Sequence, residues 1–162
     1  MSEGSIRLAE PGEGKRLRAI ELAAAQLFTE IGMDDVAEAG AASAQTYERF
    51  IAGAQAMVAT LGGDVAGFLT FEPRDAATFV CELCVDPRYA GRRLGARLLE
   101  ALPHPVTLSC FVDVPWNRPY YERLGFQVVS PDSLGVHYRA VAADEKRRFA
   151  PWRRCVMLRD AL

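Results

Sequence analysis

Apolar positions alternate between two rhythms along this chain, and the switches mark its elements. Ile6 to Leu8 forms a short apolar start that predicts a first strand. Leu17, Ile20, Ala24, Leu27, Phe28 and Ile31 then recur at helical spacing and predict a helix that closes near Gly32. Tyr47, Phe50, Ile51 and Ala54 predict a second helix, with Ser43 as its cap. Ala56 to Leu61 and Val65 to Phe71 read as two strands around Gly62-Gly63-Asp64, a hairpin turn signal. Thr78 to Val85 is the next strand, and a helix follows to about Leu102. Val106 to Phe111 predicts a strand, then come a short helix, a strand at Phe126 to Val129, a helix at Leu134 to Arg148 and a last strand at Arg153 to Leu158. The chain shows no internal repeat and no linker that would divide it, so a single domain over residues 1–162 is expected.

The segment from Glu82 to Leu99 carries the most chemical information. The apolar run Leu83, Cys84, Val85 ends at Asp86-Pro87, a loop rich in Arg and Gly follows, and Leu94, Leu98 and Leu99 recur at helical spacing. A turn that enters a helix exposes backbone N–H groups with no partner inside the helix. Those groups and the helix dipole favour an anion in front of them, so the segment is a phosphate cradle by type. Gly91-Arg92-Arg93-Leu94-Gly95 does not fit the dinucleotide fingerprint G-x-G-x-x-G, and no Gly-Lys-Ser/Thr end is present for a Walker loop.

The loop Val85-Asp86-Pro87-Arg88-Tyr89-Ala90-Gly91-Arg92-Arg93-Leu94-Gly95-Ala96 resembles the acyl-CoA motif of the GNAT N-acetyltransferase superfamily, Gln/Arg-x-x-Gly-x-Gly/Ala after a Val-x-Pro strand end. A second segment, Tyr121-Glu122-Arg123-Leu124-Gly125-Phe126, is similar to the family's Tyr-x-x-x-Gly-Phe motif, with Gly125 placed to stop a helix, Asn117 to cap its start and Pro119 in its first turn. Arg93 stands where the family usually has Gly or Ala. The expectation is that Arg93 already lies in the helix with negative φ, where Arg is the better helix former by roughly 0.8 kcal/mol. Val114 stands where the family often has an Asn that contacts pantetheine, with Asn117 nearby.

The resemblance implies a mixed α/β, GNAT-like three-layer fold: a central, mostly antiparallel twisted sheet of about seven strands with a splayed parallel pair, flanked by helices. The helix at Leu134 to Arg148 is an insertion relative to the simplest members. The resemblance also implies acetyl transfer from acetyl-CoA to an amine of a small molecule, amino acid or peptide, by direct attack in a ternary complex. Coenzyme A would be held by Leu83, Cys84, Val85, Arg88, Tyr89, Ala90, Gly91, Arg92, Arg93, Leu94, Gly95 and Ala96, with Asn117, Tyr120 and Tyr121 on its thiol arm. Tyr121 would protonate the leaving thiolate, with Tyr120 as the weaker choice. The amine must lose a proton before attack, since free alkylamines are mostly protonated near pH 7. Glu82, which interrupts an apolar strand, is the expected base, with Glu21 and Asp113 behind it. Two other readings stand beside this one: a non-catalytic acyl-CoA-binding module of the same fold, and an unrelated nucleotide-binding α/β domain.

Composition narrows the classes. Half of the 162 residues are hydrophobic, enough for a sizeable core, and the net charge of −2 gives no general attraction to nucleic acid or anionic membrane. No apolar run reaches the ~20 residues of a membrane span, and the segment MSEGSIRLAEPG has no apolar leader core, so a cytoplasmic protein is expected. The resemblance is compatible with a homodimer. The four Cys fit a reducing compartment. Cys81 and Cys84 have C-x-x-C spacing, but inside a strand they point to opposite faces, and with two His in the chain no metal is expected. These Cys read as small buried hydrophobes. The late basic cluster Lys146, Arg147, Arg148, Arg153 and Arg154 reads as a solvated face, with an anionic acceptor or the coenzyme's 3′-phosphate as the functional alternative.

Overall fold

The computed structural model describes residues 4–160. The two ends of the expected single domain, and the start of the segment read for a leader, lie outside the described residues. In chain order the elements begin β1 (Ser5–Leu8), α1 (Gly14–Ala25), α2 (Asp34–Ala37), α3 (Ala44–Ala52), β2 (Ala56–Leu61), β3 (Asp64–Arg74) and β4 (Ala77–Val85). They continue with α4 (Leu94–Glu100), β5 (Val106–Phe111), α5 (Arg118–Arg123), β6 (Gln127–Val129), α6 (Val136–Arg148) and β7 (Arg154–Arg159). The seven strands form one mixed, mostly antiparallel sheet in the order β1-β2-β3-β4-β5-β7-β6, with one parallel pair, β4 and β5. This is the GNAT-like α/β architecture.

The contacts divide the chain into two compact units, the first made of Met1–Phe71 and Cys81–Ala101. Its strands β1, β2 and β3 pair antiparallel. Gly62 and Gly63 both have positive φ (60° and 87°), the requirement of the tightest right-twisting hairpin turn, and that is why the Gly-Gly-Asp signal reads correctly. The core here joins Leu17, Ile20, Tyr47, Ile51, Val58, Phe68 and Cys84, with the Tyr47 ring edge-on to Phe68 at 5.1 Å. Ser43 caps α3 as expected: its hydroxyl accepts from the Thr46 amide. The first helical stripe divides into α1 and a tighter 3₁₀ segment, Gln26–Ile31, which Gly32 ends at φ 78°. The four-residue helix α2 carries no apolar stripe long enough to be seen in the sequence.

The second unit takes Glu72–Val80 and Leu102–Leu162. Here β4 and β5 run parallel with Thr78 opposite Val106 and Phe79 opposite Thr107. β5, β7 and β6 pair antiparallel, β5 and β7 over their full length from Val106↔Arg159 to Phe111↔Arg154. α6 buries Tyr138, whose hydroxyl shares a hydrogen bond of 2.7 Å with Thr107 on β5. Phe79 and His137 pack edge-on around the same ring. Among the described residues no helix is long and apolar enough to cross a membrane.

Candidate active site

The glycine-bearing loop folds around Asp86 in the first unit. The buried Asp86 carboxylate accepts from the Arg88 guanidinium (2.9 Å), from the Arg88 amide (3.0 Å) and from Arg16 (2.9 Å), while Arg16 also donates to the Val65 carbonyl. These bonds tie the end of β4 to α1 and start the 3₁₀ turn Pro87–Tyr89. Arg88 first, then its amide and Arg16, hold the Asp86 carboxyl well below the usual carboxylate range. A depressed carboxylate contributes stability above its unfolded pKa of about 3.9 and loses it as pH falls. Asp86→Asn is therefore expected to be less stable than the parent at neutral pH and to lose less stability on acidification below about pH 4. Urea midpoints across that range check it.

Beyond this turn the backbone at Gly91 (φ 80°) and Arg93 (φ 58°) is left-handed, and α4 starts at Leu94. The expectation that Arg93 lies in the helix with negative φ is thus corrected. The helix starts one residue later, so Arg93 takes the N-cap position, whose dihedrals are not helical. A left-handed non-glycine residue costs roughly 1–2 kcal/mol, partly offset by the greater unfolded-state freedom of Gly. Because the Arg93 side chain is exposed, Arg93→Gly is expected to raise stability by about 0.5–1 kcal/mol in a denaturant titration. Gly91, Arg92 and Arg93 are exposed, a Cβ at Gly91 would meet no atom within 4 Å, and Leu94, Gly95 and Ala96 supply the unpaired first-turn amides. Such a loop has open backbone and flanking cations, which suits a diphosphate.

On β4, before the loop, Glu82 lies beside Cys84. The Cys84 thiol donates to Glu82 Oε1 at 3.4 Å. Glu21 accepts from the Tyr47 hydroxyl and from the Ala42 amide at 3.1 Å. Burial first, then the charge of Glu82 and the bond to Glu21, push the Tyr47 phenol far up, and burial with the same two carboxylates pushes up the Cys84 thiol. The first unit thus gathers Glu82, Glu21, Tyr47 and Cys84 into one acidic cluster. Glu21 is engaged by Tyr47, a partner the sequence did not indicate, because the two lie on different helices. Leu83 and Val85 are half-buried beside them.

In the second unit, Tyr121 is buried on α5 with its ring near Tyr120 (5.4 Å) and Phe126 (5.7 Å). Gly125 has φ 93° and ends the helix as its motif predicts. The expected capping role of Asn117 is corrected: it occupies the N-cap position of α5, but its Oδ1 accepts from the Phe111 amide (2.9 Å) and so secures the end of β5. Asp113 is exposed and ion-paired with Arg153 at 3.0 Å.

The basic cluster is also corrected in part. Lys146, Arg147, Arg148 and Arg153 are exposed, but the Arg154 guanidinium is turned inward. It binds Glu145, which also accepts from the Ser109 hydroxyl, and it stacks on Phe111 (4.4 Å) and Phe149 (4.9 Å). This trio lies against a cavity of about 600 Å³ within the second unit, walled by apolar residues such as Val128, Val129 and Trp152. No group of three His, Cys, Asp or Glu side chains is placed to hold a metal among the described residues.

Residues 52–128 match the family model described as an acetyltransferase (GNAT) domain. Among solved structures, the chain is similar to the PaiA N-acetyltransferase of Thermoplasma acidophilum in complex with coenzyme A, at TM-score 0.73 and 14% identity, over 99% of this chain and 100% of that one. It is similar to the ribosomal-protein-S18-alanine N-acetyltransferase of Escherichia coli, at TM-score 0.65 and 19% identity, over 97% and 93% of the two chains. It also resembles N-acetylglutamate synthase of Neisseria gonorrhoeae complexed with coenzyme A and N-acetyl-glutamate, at TM-score 0.67 and 18% identity; there 99% of this chain spans 35% of the other. The matched segment, which contains β4, the loop and the Tyr121 motif together, is similar to a GNAT acetyltransferase domain, and the chain shares the fold of the GNAT structures it matches.

Proposed function

We propose that the chain is an acetyl-CoA-dependent N-acetyltransferase that acylates an amine of a small molecule, amino acid or peptide by direct attack. The observation that carries this reading is the loop from Asp86 to Ala96, pinned by Arg16 and Arg88 and opening into α4, inside the segment that matches the family. The backbone amides of this loop hold the diphosphate; hydrogen bonds to a charged acceptor contribute roughly 1.5–3 kcal/mol each. Two of the similar proteins bear coenzyme A in their structures, one of them together with N-acetyl-glutamate, and two are N-acetyltransferases by name.

Glu82 takes a proton from the acceptor ammonium, directly or through water, so that a neutral amine attacks. Its neighbourhood favours a cationic acceptor: Glu21 adds a second carboxylate in the same cluster. Tyr121 gives its proton to the departing sulfur, a role assigned from the motif it begins. A backbone N–H at the end of β4 polarises the thioester carbonyl as an oxyanion-hole donor does.

The test is an amine screen with acetyl-CoA, read by release of free thiol. Glu82→Gln is expected to lower kcat about a hundredfold with the loss relieved at high pH, where the amine is already neutral. Turnover equal to that of the parent would remove Glu82 from the mechanism. Coenzyme binding without turnover of any amine would favour a binding module instead.

A further inference from the structure

Cys110 and Cys155 are separated by 45 positions in sequence, yet they are direct partners across the antiparallel pair β5 and β7. Direct partners in such a ladder have Cα atoms roughly 4.5–5.5 Å apart, inside the span that a disulfide bridges. The two sulfurs lie 3.8 Å apart. Cys110 is buried against Met157 (Sγ to Sδ 3.6 Å), whereas Cys155 is half-buried. One thiol is thus reachable by a small reagent and the other waits behind it. Both are free thiols in the structure.

We propose that Cys110 and Cys155 form a reversible dithiol–disulfide pair that responds to hydrogen peroxide or another small hydroperoxide.

The thiolate of Cys155 attacks one peroxide oxygen; the O–O bond breaks, hydroxide leaves and a sulfenic acid remains on Cys155. Cys110 then attacks that sulfur. The S–S bond forms, the S–O bond breaks, and the oxygen departs as water with the Cys110 proton. Each sulfur is oxidised by one electron and the peroxide is reduced to water and hydroxide. A thiol reductant reverses the bond through a mixed disulfide.

The electrostatics are arranged for this order of events. The Cys110 thiol donating to Cys155 lowers the Cys155 pKa, with Arg118 and Arg154 adding positive charge, while Cys110 itself is pushed up. The reachable sulfur is the one whose thiolate is favoured, and a resolving thiol beside it protects it from further oxidation. Cys84, by contrast, is buried with its thiol turned to Glu82 and its pKa raised, which disfavours reaction. The bond would draw Cys155 toward Cys110 and so join the two strands beside Ser109 and Arg154, the residues that face the cavity.

The test treats the full chain with hydrogen peroxide, quenches with catalase, and alkylates the remaining thiols under denaturing conditions before peptide mass mapping. The expected result is loss of two of the four thiols, a cross-linked peptide joining Cys110 to Cys155, and recovery of all four on reduction with dithiothreitol. Cys155→Ser and Cys110→Ser are both expected to abolish the cross-link while Cys81 and Cys84 still alkylate; either variant alone suffices if the other does not fold. Retention of all four thiols, a sulfinic acid on Cys155 without cross-link, or a cross-link through Cys81 or Cys84 would overturn the proposal.

Discussion

Tyr121→Phe is expected to lower kcat at least about a hundredfold while the Kd for acetyl-CoA changes less than about twofold. Loss of a general acid is worth 10²–10⁴ in rate, or roughly 3–5 kcal/mol of transition-state stabilisation. The substitution removes the hydroxyl and keeps the ring, which is buried and packed against Phe126 at 5.7 Å, so the fold retains its apolar contact. A kcat loss with unchanged binding is the signature of an interaction made in the transition state. Stopped-flow turnover and a binding titration on the same variant separate the two quantities. Equal turnover would show that water or another acid serves the thiolate, and Tyr120→Phe is the natural comparison because its ring is the immediate neighbour.

Glu145→Ala is expected to be the most destabilising of the substitutions considered, by about 3 kcal/mol or more. The side chains of Glu145 and Arg154 are only 11% and 16% exposed, so removing the carboxylate leaves a guanidinium held away from water between Phe111 and Phe149. Breaking a buried pair from one side costs about 3–5 kcal/mol, whereas replacing both partners by apolar residues of similar volume is often neutral. The double variant Glu145→Leu with Arg154→Met should therefore recover most of the loss. In a chain of this size 3 kcal/mol corresponds to a fall of roughly 6–12 °C in Tm. A single variant as stable as the parent would mean that the Arg154 guanidinium reaches solvent once freed.

The periodicity carried the strands, the hairpin and the longer helices because each of those is decided by residues close in sequence. Ser43, Gly125 and the Gly62-Gly63 turn speak through local chemistry and read correctly. What was not legible depends on a boundary or on distant partners. The sign of φ at Arg93 turned on whether α4 starts at residue 93 or 94, a difference of one residue that periodicity does not resolve. Asn117 has the residue type of a cap and sits at the cap position, but the Phe111 amide competes for its side chain and wins. Arg154 stands among charged residues in the sequence; only the pairing of β5 with β7 and the lie of α6 bring Ser109, Glu145 and two aromatic rings around it. The same pairing puts Cys110 opposite Cys155, 45 positions away in sequence. For the candidate chemistry, the loop and the Tyr121 motif were readable as patterns, and Glu82 as an interruption of an apolar strand. Its cluster with Glu21 and Tyr47 was not, since three elements contribute to it.

Selective binding of the acyl-coenzyme by the loop from Asp86 to Ala96 is measured most directly by a thermal-shift titration with acetyl-CoA, beside ATP and NAD. Ligand at about 100 times Kd stabilises a protein by roughly 2.7 kcal/mol, a rise of roughly 5–10 °C here. That rise is expected with acetyl-CoA, and little with ATP or NAD. No shift with acetyl-CoA, or a larger one with either nucleotide, would contradict that expectation.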